Sequence, residues 1–333
     1  SIGFAECYMR GEFETNNLSN LIELTARNIK IIYKYSYLLF ILSLVLLISV
    51  EIIGVLGKGA TRWIKIFGFS IQPSELVKVT IILALAKFYH DLKFENIKKI
   101  SFLFFPFLIL TIPFIFVVMQ PDLGTSLSIL ILGVFILFLA GIRLWKFLLG
   151  FTVIIISIPL FLRFIKPYQR DRVISFLDPE SDPLGQGYQL IQSKIALGSG
   201  GGTGKGFLQG TQSYLEYLPE KQTDFIFTLI GEEFGFLGTI FIIFLFILLI
   251  GVCYFISIKC FHVFGRIIAL GVASNIFIYV FMNIAMVSGL MPVVGIPLPL
   301  ISYGGSVMLS IMISIGLVLN VELNYNLKKF NNA

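Results

Sequence analysis

The chain has 333 residues, of which 57% are hydrophobic and 13% charged, with a formal net charge of +6 and a mean hydropathy of +0.92. A soluble domain is about 45–50% apolar and about 25% charged, so the composition excludes an ordinary soluble enzyme and points to an all-α, polytopic transmembrane helical bundle. Lys and Arg are spread between apolar blocks instead of forming one patch, which argues against nucleic acid as a partner; the isolated His90 and His262, and Cys7, Cys253 and Cys260, show neither metal-site nor disulfide spacing.

In chain order, residues 1–30 form a polar segment with no visible cleavable signal peptide and, at most, a short surface helix around Leu18–Leu24. Eight apolar blocks follow, at roughly 31–53, 73–90, 100–119, 123–141, 144–164, 225–250, 262–288 and 303–322. Their length, about 20 residues, favours helices over strands, and the alternating ten-residue segments of a β-barrel do not appear. Eight spans place the basic loops 91–99, 142–147 and 259–266 and the tail 326–333 on one side, which the positive-inside rule makes cytoplasmic. The connection 54–72, with Lys58, Arg62 and Lys65, then falls outside and needs a reason for its charge. So does the long segment 165–223, whose six basic and six acidic residues favour neither side; a connection of that length in a compact bundle is usually functional, and it is expected to be a folded cap.

Several stretches carry chemistry. In "GATRWIK" (59–65) Trp63 suits an interfacial anchor, and the planar fork of Arg62 suits either that boundary or a phosphate. In "QPSELVK" (72–78) Pro73 suits the first helical position, and Glu75 and Lys78 share a helix face and can pair. In "QPDLGTS" (120–126) Asp122 complements a helix N-terminus. "GSGGGTGKG" (198–206) is not a Walker A loop, because Ser199 and Gly206 stand where Gly and Ser or Thr are required, and Thr203 breaks the dinucleotide pattern. It is either a flexible turn or a run of backbone amides approaching a phosphate.

"YLPEKQTDFIFTLIGEEFGF" (217–236) places Asp224 at a helix start and Glu232 and Glu233 within an apolar run. In a continuous helix Glu232 stands about 12 Å and about 80° from Asp224, so the two acids could border one polar cavity while Glu233 faces elsewhere. Carboxylates at such depths line a wet pocket or pair with other helices. "GIPLPLISYGGS" (295–306) is too rich in Pro and Gly for a regular helix, and irregular backbone there must be buried in protein or line a cavity.

Five of these stretches in order, "GATRWIKIFGFSIQPSELVK", "QPDLGTS", "YQRDRVISFLDPESDPLGQGYQLIQSKIALGSGG", "GTQSYLEYLPEKQTDFIFTLIGEEFG" and "MPVVGIPLPLISYGGS", make residues 31–325 resemble the SEDS family (shape, elongation, division and sporulation proteins). The resemblance implies a membrane-embedded peptidoglycan glycosyltransferase of the bacterial plasma membrane. It would polymerise lipid II on the outer face, beside a class B penicillin-binding transpeptidase and other elongation-complex proteins. It places the catalytic carboxylate at Asp224, a second acid at Glu216, the Glu–Lys pair at Glu75 and Lys78, and the Arg–Trp pair at Arg62 and Trp63. Val294, where division relatives usually carry Lys, and "GTQ" at 210–212 favour the elongation branch. The family has ten transmembrane helices; the two not seen would precede residue 31. The resemblance also implies a divalent cation, Mg or Mn, for which the sequence shows no ligand cluster. In this reading Asp224 is the general base, and Arg62, Lys78, Arg170, Arg172, Lys194 or Lys205 neutralises the leaving pyrophosphate. The alternatives are a lipid II flippase and a non-catalytic scaffold.

Overall fold

The computed structural model describes residues 29–57, 60–66, 69–92, 101–150, 152, 174–182, 185–214, 217–218 and 220–324. The N-terminal segment, most of the basic loop 91–99, the tail from residue 325, and Arg170, Arg172 and Glu216 lie outside the described residues. Those described form two compact units.

The first unit comprises residues up to Ile142, Leu248–Ile278 and the chain from Gly304. Helix α1 (Ile29–Ile53) is followed by strands β1 (Val55–Gly57), β2 (Ala60–Ile66) and β3 (Phe69–Ile71), then by α2 (Pro73–Asp91), α3 (Phe104–Met119) and α4 (Leu123–Leu139). The strands form one antiparallel sheet in the order β1–β2–β3, with Val55 opposite Trp63 and Lys65 opposite Ser70. This corrects the expectation of a purely helical chain with a loop at 54–72. The period-two pattern of β2 explains the sheet: Ile64 is buried while the next residue, Lys65, is exposed.

Helix α2 is the core of this unit. It starts at Pro73, where the missing N–H costs nothing. Val77, Ile81, Ile82, Ala84, Leu85 and Ala86 on it are sealed from solvent. It packs on α1, α3, α4 and the last helix, α8 (Gly305–Leu323). A hydroxyl pair, Ser43 and Thr80 at 2.7 Å, links α1 to α2. Ser306, at the start of α8, accepts from the Gln72 amide at 3.0 Å and donates to the Ser70 carbonyl at 3.1 Å, which fastens the sheet to that helix.

The second unit comprises Arg143–Ile247 and Tyr279–Tyr303. It contains α5 (Gln186–Ser199), the first part of α6 (Ile226–Lys259), the end of α7 (Val263–Val287) and the irregular segment 289–303. Within that segment Val293, Ile296 and Leu298 are buried, as expected for irregular backbone housed in protein.

Among the described residues, five helices are long and apolar enough to cross a membrane: α1, Ser101–Met119, α6, α7 and α8; α4 is apolar but shorter. At about 1.5 Å per residue, the 34 residues of α6 exceed a hydrocarbon core of about 30 Å. The excess is set apart by a break at Gly235, whose φ is 67° and ψ −161°.

Candidate active site

Asp224 lies two residues before α6, in a turn built by its own neighbours. The Phe225 amide donates to the Glu220 carbonyl at 3.1 Å, and the Thr223 hydroxyl donates to the Glu220 carboxylate at 2.7 Å. Phe225, almost fully buried, anchors the turn from behind. Asp224 itself is half-buried.

Three successive carbonyls of this turn are held by the segment 283–303. Gln222 accepts from the Tyr303 amide at 2.9 Å, Thr223 from the Ser302 hydroxyl at 2.6 Å, and Asp224 from the Asn283 carboxamide at 2.8 Å. The carboxylate is directed elsewhere, towards Gly295. A Cβ on that glycine would lie 3.3 Å from Asp224 Oδ2. Gly295 is exposed and has φ of 71°, a left-handed conformation that favours glycine.

Glu232 does not share that setting, which corrects the polar cavity expected to join it to Asp224; Glu233 is expected to face elsewhere. Both are buried, with 1% and 2% of their surface exposed. Glu232 Oε1 accepts from Lys205 Nζ at 2.8 Å, Thr211 Oγ1 at 3.1 Å and the Gln212 amide at 3.0 Å. Helical spacing does not relate the two acids, because α6 begins at Ile226 and Asp224 lies outside it.

The glycine-rich stretch completes the break in α6. In an unbroken helix the amides of Phe236 and Leu237 would donate to the carbonyls of Glu232 and Glu233. Here Phe236 N donates to Gly201 O at 2.9 Å and Leu237 N to Gly202 O at 3.1 Å. The freed carbonyls of Glu232 and Glu233 accept from Lys205 N and Gly206 N, each at 3.0 Å. All four backbone groups released by the break thus find partners. The backbones approach so closely that a Cβ on Gly200 would overlap the Gly231 carbonyl, and one on Gly204 the Glu233 carbonyl. The stretch is therefore a packed splice, and the amides of Lys205 and Gly206 are spent on the helix.

In the first unit, Arg62 holds the connection between α3 and α4. Its guanidinium donates to the Pro121 carbonyl and, at 3.4 Å, to that of Gln120, and it lies 3.8 Å from Asp122. Asp122 is the N-cap of α4, accepting from the Thr125 amide at 3.2 Å, and also accepts from Gln72 at 3.1 Å. Trp63, beside Arg62 on β2, is half-buried. Glu75 and Lys78 form the expected pair at 2.8 Å, both buried. A buried pair of this kind makes both charges tolerable.

Of the cations proposed for an anionic leaving group, Lys205 is committed to Glu232, Lys78 to Glu75 and Arg62 to the α3–α4 connection. Lys194, exposed on α5, packs over Gly289 at the start of the segment that reaches Asp224, and it forms no salt bridge with a described residue. No three His, Cys, Asp or Glu side chains come together among the described residues. They therefore do not fit a divalent cation caged by protein alone.

The contributions of Asn283, Ser302 and Gly295 are not apparent from motif reading. A polar Asn inside an apolar 25-residue helix is a usable signal, since a buried carboxamide needs partners.

The sequence profile of the family described as "Cell cycle protein" (FtsW, RodA and SpoVE) matches residues 20–327. The chain is 45% identical over 288 residues to the peptidoglycan glycosyltransferase MrdB of Escherichia coli K12, covering 85% of this chain and 76% of that one. It is 39% identical over 298 residues to the stage V sporulation protein E of Bacillus subtilis, covering 86% and 79%. Among solved structures it resembles a chain from work on the coordination of polymerization and crosslinking by a peptidoglycan synthase complex, with TM-score 0.79, 32% identity and coverage of 93% and 88%. It also resembles a variant of the rod shape determining protein RodA of Thermus thermophilus, with TM-score 0.67, 25% identity and coverage of 93% and 86%. A profile spanning most of the chain, with relatives well above 30% identity, bears out the resemblance carried by the five motifs: this chain belongs to the FtsW/RodA/SpoVE family.

Proposed function

We infer that the chain is a peptidoglycan glycosyltransferase that polymerises lipid II into glycan strands and releases undecaprenyl pyrophosphate, with Asp224 as the general base. The activity is that named for its relatives. The observation that carries the mechanism is the half-buried Asp224 carboxylate, on a turn fixed through its backbone and directed to an exposed glycine.

The chemistry follows from that placement. An Asp224 oxygen takes the proton of the acceptor sugar's 4-hydroxyl as its oxygen bonds to the anomeric carbon of the donor. The bond from that carbon to the pyrophosphate oxygen breaks, and the pyrophosphate leaves with its electron pair. One carboxylate acting as base suits inversion; retention requires a second as nucleophile about 5 Å away. Glu232 is poorly placed for that role, because it is buried and bound to Lys205. Lys194 is assigned to the leaving pyrophosphate, because its ammonium projects beside the same irregular segment. The Mg or Mn implied by the family resemblance would be held largely by substrate phosphates and water, as Mg²⁺ commonly is, adding positive charge at the leaving group.

The same reading places eight spans in the plasma membrane, with Asp224 and a 165–223 cap on the outer side, and a class B penicillin-binding transpeptidase as partner. Basic short loops support the orientation, and likeness to a chain of a peptidoglycan synthase complex supports the partner. The elongation role is supported by Val294 and by the relatives MrdB and RodA.

The test uses the full chain in lipid nanodiscs with labelled lipid II. Glycan chains are expected from the wild type, and from Asp224→Asn a rate lowered by at least about 100-fold. Undiminished chains from the variant would reject the base. In sealed vesicles, lipid II crossing between leaflets without chain growth would mean transport instead.

A further inference from the structure

Asn283 stands four residues from the end of α7 and is fully buried. Its carboxamide nitrogen carries two N–H groups, and both are used. One donates to the Asp224 carbonyl at 2.8 Å and the other to the Ile296 carbonyl at 2.7 Å. The opposite amide orientation would set an oxygen against two carbonyl oxygens, so the partners fix this one.

The two carbonyls belong to separate segments of the chain. Asp224 carries the carboxylate, and Ile296 follows Gly295, the residue that the carboxylate faces. A single side chain therefore ties the backbone of Asp224 to that of the residue next to Gly295. Ser302 works alongside it: its hydroxyl accepts from the Leu298 amide at 2.7 Å and donates to the Thr223 carbonyl at 2.6 Å.

We propose that Asn283, assisted by Ser302, is a positioning residue for the transfer reaction, setting where the Asp224 carboxylate stands relative to the 295–303 segment. The inference rests on Asp224 being the base. Neither side chain touches substrate in this account; each acts through the backbone of residues 223 and 224. A reactive group must be held within about 0.5 Å of its productive place, and a 1 Å displacement can cost about 100-fold in rate. Leu at 283 fills a similar volume but supplies neither donor.

The experiment measures lipid II polymerisation by the full chain in nanodiscs, per folded protein, for the wild type, Asn283→Leu, Ser302→Ala and Asp224→Asn. For Asn283→Leu, kcat is expected to fall about 10- to 100-fold with KM for lipid II within about twofold, the signature of an interaction used in the transition state. Wild-type kcat in folded Asn283→Leu, or a loss confined to KM, overturns the proposal. If Asn283→Leu does not fold, Ser302→Ala decides: a fall of about three- to tenfold in kcat at constant KM is expected, and wild-type kcat overturns. Should Asp224→Asn make chains at the wild-type rate, the base assignment and this inference fall together. Should it be slowed as expected while both other variants turn over normally, only the positioning role falls.

Discussion

The turn at 222–224 and the helix break at 231–236 lie one after the other in the chain, and each holds an acid by opposite means. At the turn the backbone is bound: three carbonyls accept from Tyr303, Ser302 and Asn283, and the Asp224 side chain stays half-buried. At the break the side chain is bound: Glu232 is sealed and accepts from Lys205, Thr211 and Gln212. The difference is what the proposed base at 224 rests on: one acid is held through its backbone, the other through its side chain. A buried carboxylate bound by three fixed donors fastens a loop, whereas at 224 the chain is gripped through the backbone carbonyl.

The largest effect that could break this contrast is at Asp224. Asp224→Asn should lower glycan synthesis by about 10²- to 10⁴-fold, the usual worth of a general base, with the thermal midpoint in detergent unchanged. A melting defect in place of a rate defect would make the two acids alike.

The second test is at the splice. Gly204 has φ of 80°, and a side chain there meets the Glu233 carbonyl. Gly204→Val should destabilise by about 2–4 kcal/mol through strain and overlap, measured by thermal or denaturant unfolding. A wild-type midpoint would show that the 200–206 segment does not complete α6.

A smaller change sharpens the contrast from the other side. Glu232→Gln removes the charge facing Lys205 and should cost about 1–3 kcal/mol of stability, while kcat per folded protein stays within about threefold of wild type. A folded variant with no turnover would give Glu232 a chemical role and erase the distinction.

The smallest expected effect is a control outside both regions. His262 caps α7 as an acceptor, receiving the Gly265 amide at Nδ1 at 2.9 Å. Burial pushes its pKa down from 6.5 to about 4. A group lowered on folding gains a proton first in the unfolded chain, so its contribution is present above about pH 6.5 and is lost as pH falls towards 4. The thermal midpoint should drop over that window, and the drop should shrink in His262→Asn, which keeps a capping acceptor without a titration. An unchanged pH slope in that variant would discount the cap.

Much of the fold and part of the site were legible in the sequence, and the division is physical. The Glu75–Lys78 pair, Pro73 at the start of α2 and Asp122 at the start of α4 depend on spacings of a few residues, which helix geometry sets by itself. The sheet at 55–71 is not legible because β1 and β3 are three residues each, too short to show a period of two, and form only by pairing with β2. Asn283 was missed because its partners are 59 and 13 residues away.

By itself the sequence determined a membrane-crossing helical chain, the family and the identity of the acid at 224, because these follow from local hydropathy and from motifs contiguous in the chain. Only the tertiary structure decided which carboxylate stays half-buried, which cations are already spent, and that the glycines of 200–206 close a broken helix. Those outcomes depend on which backbone donor meets which carbonyl across long stretches of chain, and the spacing of residues in a sequence does not encode that meeting.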